Sequence, residues 1–246
     1  MTTPTTFPAV LAARLRTDPG QPLVTFYDHA TGERVELSVT TWANWVAKAS
    51  SLLVDELGLE RGDRLAIDLP PHWLGTVFLG AAWNCGLVVT TSADAAGAED
   101  LAAIVCGPDT LADWSDRTGE LAVLACALLP LGVRFAEPVP AGVTDVGIDI
   151  WSQPDAFSAW DPPQAEDLAL EVGGRALSQA GLWSEAAVTG LVGDGRLLAV
   201  ADPVSEPAIL CEPLLAGGSL VLVVRAEPER LEATYVAEHA TARFPA

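Results

Sequence analysis

The feature that most constrains this chain is a repeated alternation of short apolar, β-type runs with amphipathic helical runs, separated by glycine and proline. A helix is predicted over 7–16, followed by strands over 22–28 and 33–37 that form a hairpin around the turn at His29–Gly32. Ser38 to Thr41 supply hydroxyl caps for a long helix ending at Leu57. Val39, Trp42, Val46, Ala49, Leu53 and Leu57 recur at helical spacing and mark its buried stripe. Gly58 ends that helix, and Gly62-Asp63 turns the chain into a strand over 64–69. A helix over 72–84 follows Pro70-Pro71, with Gly86 as its stop. Strands are predicted over 87–91, 101–106, 121–128 and 143–150. Strands that alternate with helices pair in parallel through right-handed crossovers. The fold class is therefore α/β, with doubly wound, mostly parallel sheets and flanking helices.

Residues 151–164 include Pro154, Pro162 and Pro163 and read as an irregular connector. The alternation then resumes. Strands are predicted over 167–172, 196–201 and 219–224, and helices over 175–188, 205–215 and 228–239. The 246 residues are enough for a single α/β domain, or for two lobes, 1–150 and 165–246, joined by that connector.

Charge narrows the partners. The formal net charge is -20, from 33 acidic against 13 basic residues. A field of that sign repels nucleic-acid backbones and anionic membrane surfaces. A basic protein or a neutral small molecule stays open. Lys48 is the single lysine and reads as a solvated charge. Cys85, Cys106, Cys126 and Cys211 lie far apart without a C-x-x-C pair, so neither a zinc knuckle nor a disulfide framework is implied. Residues 1–10 lack the basic start and sustained apolar run of a signal peptide. With no apolar stretch long enough to span a bilayer, the expected setting is a reducing cytoplasm.

Four stretches carry a family resemblance. The helix over 40–57 runs into Gly58-Leu-Glu-Arg-Gly-Asp63-Arg-Leu-Ala-Ile67. Residues 70–89 follow, with Phe78-Leu-Gly80-Ala-Ala and Cys85-Gly86-Leu-Val-Val89. Further on stand Glu166-Asp167-Leu-Ala-Leu170 and Pro213-Leu-Leu-Ala-Gly-Gly-Ser-Leu-Val-Leu-Val223. Order and spacing resemble the first part of the N-terminal domain of the AMP-forming acyl-CoA synthetase (adenylate-forming) family. The chain is similar to the short AMP-dependent-synthetase-like proteins of high-GC bacteria.

The resemblance also implies what this chain lacks. The family joins a strand to the following element by a Ser/Thr/Gly-rich loop ending in Pro-Lys-Gly, which grips ATP phosphates. Here only Gly173 and Gly174 stand between the strand over 167–172 and Arg175. Gly173, Gly174 and Arg175 are thus the vestigial phosphate-loop position. As a helix N-terminus they would favour an anion. Asp167, Glu171 and Glu185 oppose that, and a tight turn is the alternative. The family's aromatic-His motif is missing from Ala201-Asp-Pro-Val-Ser205, and the later magnesium, ribose and catalytic-lysine motifs would fall beyond Ala246. Adenylation needs cationic donors where charge accumulates on phosphorus.

No catalytic residue, metal or cofactor is therefore expected. His29, His72 and His239 are scattered. The acidic groups Asp94/Glu99/Asp100, Asp113/Asp116/Glu120 and Glu227/Glu229/Glu232 read as solvated faces, with magnesium binding as the alternative. Trp42, Trp45, Trp73 and Trp83 are expected in or near the core, while Trp151 and Trp160 would staple the connector. The leading expectation is a non-catalytic relative of AMP-forming ligases acting through a protein partner or as a homo-oligomer. One alternative is a binder of an adenine nucleotide or acyl/CoA ligand, in a remnant cleft between the two lobes near Gly173 and the connector. An enzyme of unrecognised chemistry is the other.

Overall fold

The computed structural model describes residues 4–95 and 100–245. In chain order the elements are α1 (Phe7–Thr17), β1 (Pro22–Asp28), β2 (Arg34–Ser38), α2 (Val39–Ser51), β3 (Arg64–Asp68), α3 (Trp73–Cys85), β4 (Val88–Thr91) and β5 (Leu101–Cys106). There follow α4 (Leu111–Trp114), β6 (Ala122–Ala125), β7 (Val143–Asp145), α5 (Val146–Asp149), β8 (Leu168–Val172), β9 (Arg175–Ser178) and α6 (Gln179–Ser184). The last elements are β10 (Arg196–Ala199), α7 (Ala208–Ala216), β11 (Ser219–Val224), α8 (Pro228–Ala237) and β12 (Ala242–Phe244).

Among the described residues the strands form two sheets. One has the order β12-β10-β11-β1-β2, the other β7-β6-β5-β3-β4-β8-β9. Every pairing is parallel except the edge hairpins β1–β2 and β8–β9. The α/β class with mostly parallel sheets is as the alternation implied.

Local chemistry explains the helices between the sheets. The Ser38 hydroxyl accepts from the Thr41 amide at 3.1 Å and caps α2. Val39, Trp42, Val46, Ala49 and Leu53 are fully buried along its stripe. The helix ends in a widened π-type turn (Leu52–Glu56). Helix α3 is apolar on nearly every side because it is covered on both: it touches β1 of one sheet and β3 and β4 of the other. Gly86 closes it in the left-handed conformation, at φ 76°. Trp42 Nε1 donates to Thr76 Oγ1 at 3.0 Å and Trp83 Nε1 to the Ala169 carbonyl at 3.1 Å, so these large side chains bury no unpaired N–H. The buried Gln179 amide links three elements, donating to the Trp83 carbonyl and accepting from the Phe7 amide, both at 2.9 Å.

Several expectations are corrected. The helix expected over 175–188 is strand β9 followed by the short α6. Val172 and Arg175 are register partners, so Gly173 and Gly174 form a two-residue hairpin loop. Their φ values of 58° and 76° suit a type I′ turn, which requires left-handed backbone at both central positions. The strand expected over 143–150 stops at Asp145, whose carboxylate accepts from the Gly147 amide at 3.0 Å and starts α5. Strand β12 was not anticipated.

The division into 1–150 and 165–246 does not follow the sheets, since each draws strands from both sides of the connector. Lys48 is not a solvated charge. It is largely buried, donates to the Gln153 carbonyl and pairs with Asp155 at 3.1 Å, pinning the connector. Arg61 holds its other end through Asp161 at 2.8 Å and Asp167 at 3.0 Å. Trp151 meets Trp45 edge-on at 5.3 Å, but Trp160 is 97% exposed and staples nothing.

Candidate functional site

In doubly wound sheets, ligands bind beyond the carboxyl ends of the strands, where the strand order reverses. In the larger sheet β4 lies on one side of β3 and β5 on the other, so the reversal falls between β3 and β5. A cleft of about 590 Å³ opens there. Its floor comes from the segments leaving β3 (Pro70, Pro71, His72), β5 (Pro108, Asp109) and β6 (Ala127, Leu128). The facing wall is the carboxyl edge of the smaller sheet, including Phe26, Asp28 and Arg225. The cleft thus lies where the carboxyl ends of both sheets meet.

His72 joins the two sides. Its ring stands edge-on to Phe26, with centroids 4.7 Å apart. Nδ1 accepts from the Leu74 amide at 3.2 Å, capping α3. An accepting Nδ1 puts the proton of the neutral imidazole on Nε2. Nε2 is buried without a partner, and the residue is only 5% exposed. Burial lowers the His72 pKa to about 4.

The charged groups around the cleft are mostly acidic. Burial raises the pKa of the Glu33 carboxyl, whose Oε1 also lacks a partner. Arg225 Nε donates to Asp28 Oδ1 at 2.8 Å, and a second guanidinium nitrogen pairs with Oδ2. That guanidinium is therefore committed to a carboxylate. Leu128 and Arg225, both on the cleft wall, hold φ values of 53° and 47°, left-handed backbone that costs non-glycine residues about 1–2 kcal/mol. Such strain persists where surrounding structure enforces it, often at functional sites.

Gly173, Gly174 and Arg175, expected at the position of a phosphate loop, lie elsewhere, at the β8–β9 hairpin. Since no helix starts there, no helix dipole serves an anion. The Gly173 amide donates to Asp94 Oδ2 at 3.1 Å. Arg175 faces two carboxylates, Glu185 at 3.2 Å and Glu206 at 3.9 Å.

His29 Nε2 bonds Thr234 Oγ1 at 3.1 Å and ties α8 to the first hairpin. All four cysteines are free and buried. Burial pushes the Cys85 and Cys106 thiols up to about 12 and raises Cys126 and Cys211 as well, which disfavours the nucleophilic thiolate. Among the described residues no three His, Cys, Asp or Glu side chains converge to hold a metal, and no helix is long and apolar enough to cross a membrane. Glu99 lies outside the described residues. The cleft lies away from Gly173 and the connector, where sequence reasoning had put one; its one local signal was a Pro-Pro-His run leaving a strand at the first crossover.

No family model matches the chain. A protein of Mycobacterium tuberculosis (strain ATCC 25618 / H37Rv), described as a TIGR03089 family protein, is 36% identical over 248 residues, covering 98% of this chain and 99% of its own length. Among solved structures, the anthranilate CoA ligase AuaEII in complex with anthranoyl-AMP superposes with a TM-score of 0.77 at 14% identity, over 99% of this chain and 50% of its own. An acyl-CoA synthetase of Brucella canis gives a TM-score of 0.76 at 16% identity, over 95% and 46%. The chain spans about half the length of these ligases, and what it shares with them is the fold.

Proposed function

This chain belongs to the TIGR03089 family, and from that premise and its half-length acyl-CoA-ligase fold we propose a non-adenylating relative of AMP-forming ligases that works through protein association. The observation that carries the first half is the closed diglycine hairpin. Its tip offers no hydroxyl and no lysine, and its Gly173 amide already faces a carboxylate. Phosphoryl chemistry depends on placed positive charge, and one lost donor at such a site costs roughly 3–4 kcal/mol of transition-state stabilisation.

Association is supported by an apolar surface. Leu131 (71% exposed), Val133, Ile148 and Trp151 (55%) stand on two segments that touch, since a Cβ at Gly147 would collide with the backbone of Val133 and Arg134. Exposed apolar clusters of this kind mark interaction sites. The partner is a second copy or another protein of the same cell. ATP–pyrophosphate exchange by the pure protein, with a panel of carboxylic acids, is expected to stay at background. Measurable exchange overturns the reading. Sedimentation of the wild type alone and with captured partners, against a Leu131→Asp/Trp151→Ser variant, is expected to show a complex that the variant loses.

The cleft between the sheets favours a second reading, a small-molecule binder without adenylation activity.

A further inference from the structure

We propose that the cleft at the meeting carboxyl ends of the two sheets is a binding site for an uncharged small molecule with an apolar body and a hydrogen-bond acceptor, held by the Nε2–H of His72. The inference rests on the small-molecule reading of this cleft and adds the chemistry of the ligand.

Three independent observations converge on the site. Its position is the strand-order reversal, where loops diverge and leave a crevice. Its volume of about 590 Å³ is in the range of small-molecule sites, roughly 300–1,000 Å³. His72 lines the cleft with a donor to spare: the Leu74 amide occupies Nδ1, so the ring cannot turn over without uncapping α3, and Nε2–H is left buried and unbonded. Buried donors are satisfied in the great majority of structures, and an exception calls for a partner.

Charge decides the class. Asp28, Glu33 and Asp109 line the cleft, and its guanidinium, Arg225, is already engaged by Asp28. A phosphate or carboxylate entering here would meet carboxylates, with no free cation among the described lining residues to balance it. Phe26, Pro70, Pro71, Leu128 and Val223 supply apolar walls for the rest of the molecule. An amide carbonyl is a suitable acceptor, because it accepts from Nε2–H without bringing charge into a low-dielectric space.

Benzamide and benzoate test this, since they share a ring and differ in the charge of the acceptor. With ¹⁵N-labelled full-length protein at neutral pH, long-range imidazole spectra separate the three histidines. Benzamide is expected to shift the His72 Nε2 resonance in a saturable way, and benzoate to bind at least tenfold more weakly. His72→Asn keeps a side-chain oxygen for the Leu74 amide but removes the donor. It is expected to lose benzamide affinity at least fivefold, with its fold checked by the dispersion of its amide spectrum. If benzoate binds as well as benzamide and shifts His72, the ligand class is wrong and the binding reading stands. If neither compound moves the His72 resonance, both are overturned.

Discussion

At the scale of single residues, His72 shows how one side chain joins stability to a candidate site. Its pKa falls from 6.5 to about 4 because burial disfavours the imidazolium. The folded protein therefore keeps His72 neutral in a window where the unfolded chain takes up a proton. A depressed pKa of this kind makes stability highest above pH 6.5 and erodes it as pH falls toward 4. The full shift corresponds to roughly 3 kcal/mol. Carboxylates also titrate in this window, so the informative quantity is a difference. Urea unfolding of wild type and His72→Asn at pH 7.5 and pH 4.5 is expected to show the wild type losing more stability than the variant. An equal loss in both would remove His72 from the account.

Two glycines of α3 make a sharper comparison. A Cβ at Gly80 would lie 2.8 Å from the Trp42 ring and 2.9 Å from a Val46 methyl, and both neighbours are fully buried. Overpacking costs about 1–3 kcal/mol and exceeds the roughly 1 kcal/mol of helix propensity that alanine adds. At Gly75, in the same helix, a Cβ would meet nothing within 4 Å. Gly80→Ala is thus expected to lower Tm and Gly75→Ala to raise it. Both changes raising Tm would show that helix propensity, not packing, dominates there, and both lowering it would show that α3 has no room for a methyl at either position.

At the scale of elements, what the sequence revealed was whatever its own neighbours determine. Ser38 announces the start of α2 and Gly86 the end of α3, because a cap is set by residues a turn away. The stripe from Val39 to Leu53 was readable because it repeats over several turns. Arg175–Ser178 was not: four residues, Arg-Ala-Leu-Ser, favour helix by propensity, and only pairing with β8 makes them a strand. Asp145 misled for the opposite reason, since an apolar run through Ile150 hid a cap in its middle. The diglycine was recognised as a departure from a phosphate loop, but its geometry was taken for a strand-to-helix corner. That geometry can be tested. Both positions have open space and positive φ, so only backbone strain is at issue. Gly173→Asn suits a type I′ turn and is expected to change stability by a few tenths of a kcal/mol, while Gly174→Val is expected to cost about 1–2 kcal/mol. Equal tolerance at both, measured by chemical unfolding, would speak against the hairpin.

At the scale of the molecule, the two sheets are stitched together by the order of the chain. β1 and β2 leave early and are completed only by β10, β11 and β12, while β8 and β9 return to the larger sheet after the connector. The cleft inherits this, with walls drawn from segments between Phe26 and Ala226. No local pattern could display it, because pairings such as Phe26 with Leu222 link positions remote in sequence. A fragment of residues 1–150 would keep β1 paired only with β2, and an isolated hairpin is marginal in water. The same fragment would strip β8 from β4 and expose the face of α3 that packs on Gln179 and Ala169. Full-length protein is accordingly expected to unfold in one transition, seen alike by tryptophan fluorescence and far-UV circular dichroism. Residues 1–150 alone should give no sharp transition and should bind hydrophobic dyes. A cooperative melt of that fragment near the full-length Tm would mean that the first lobe is a folding unit in its own right, and that the interleaved strands add little to it.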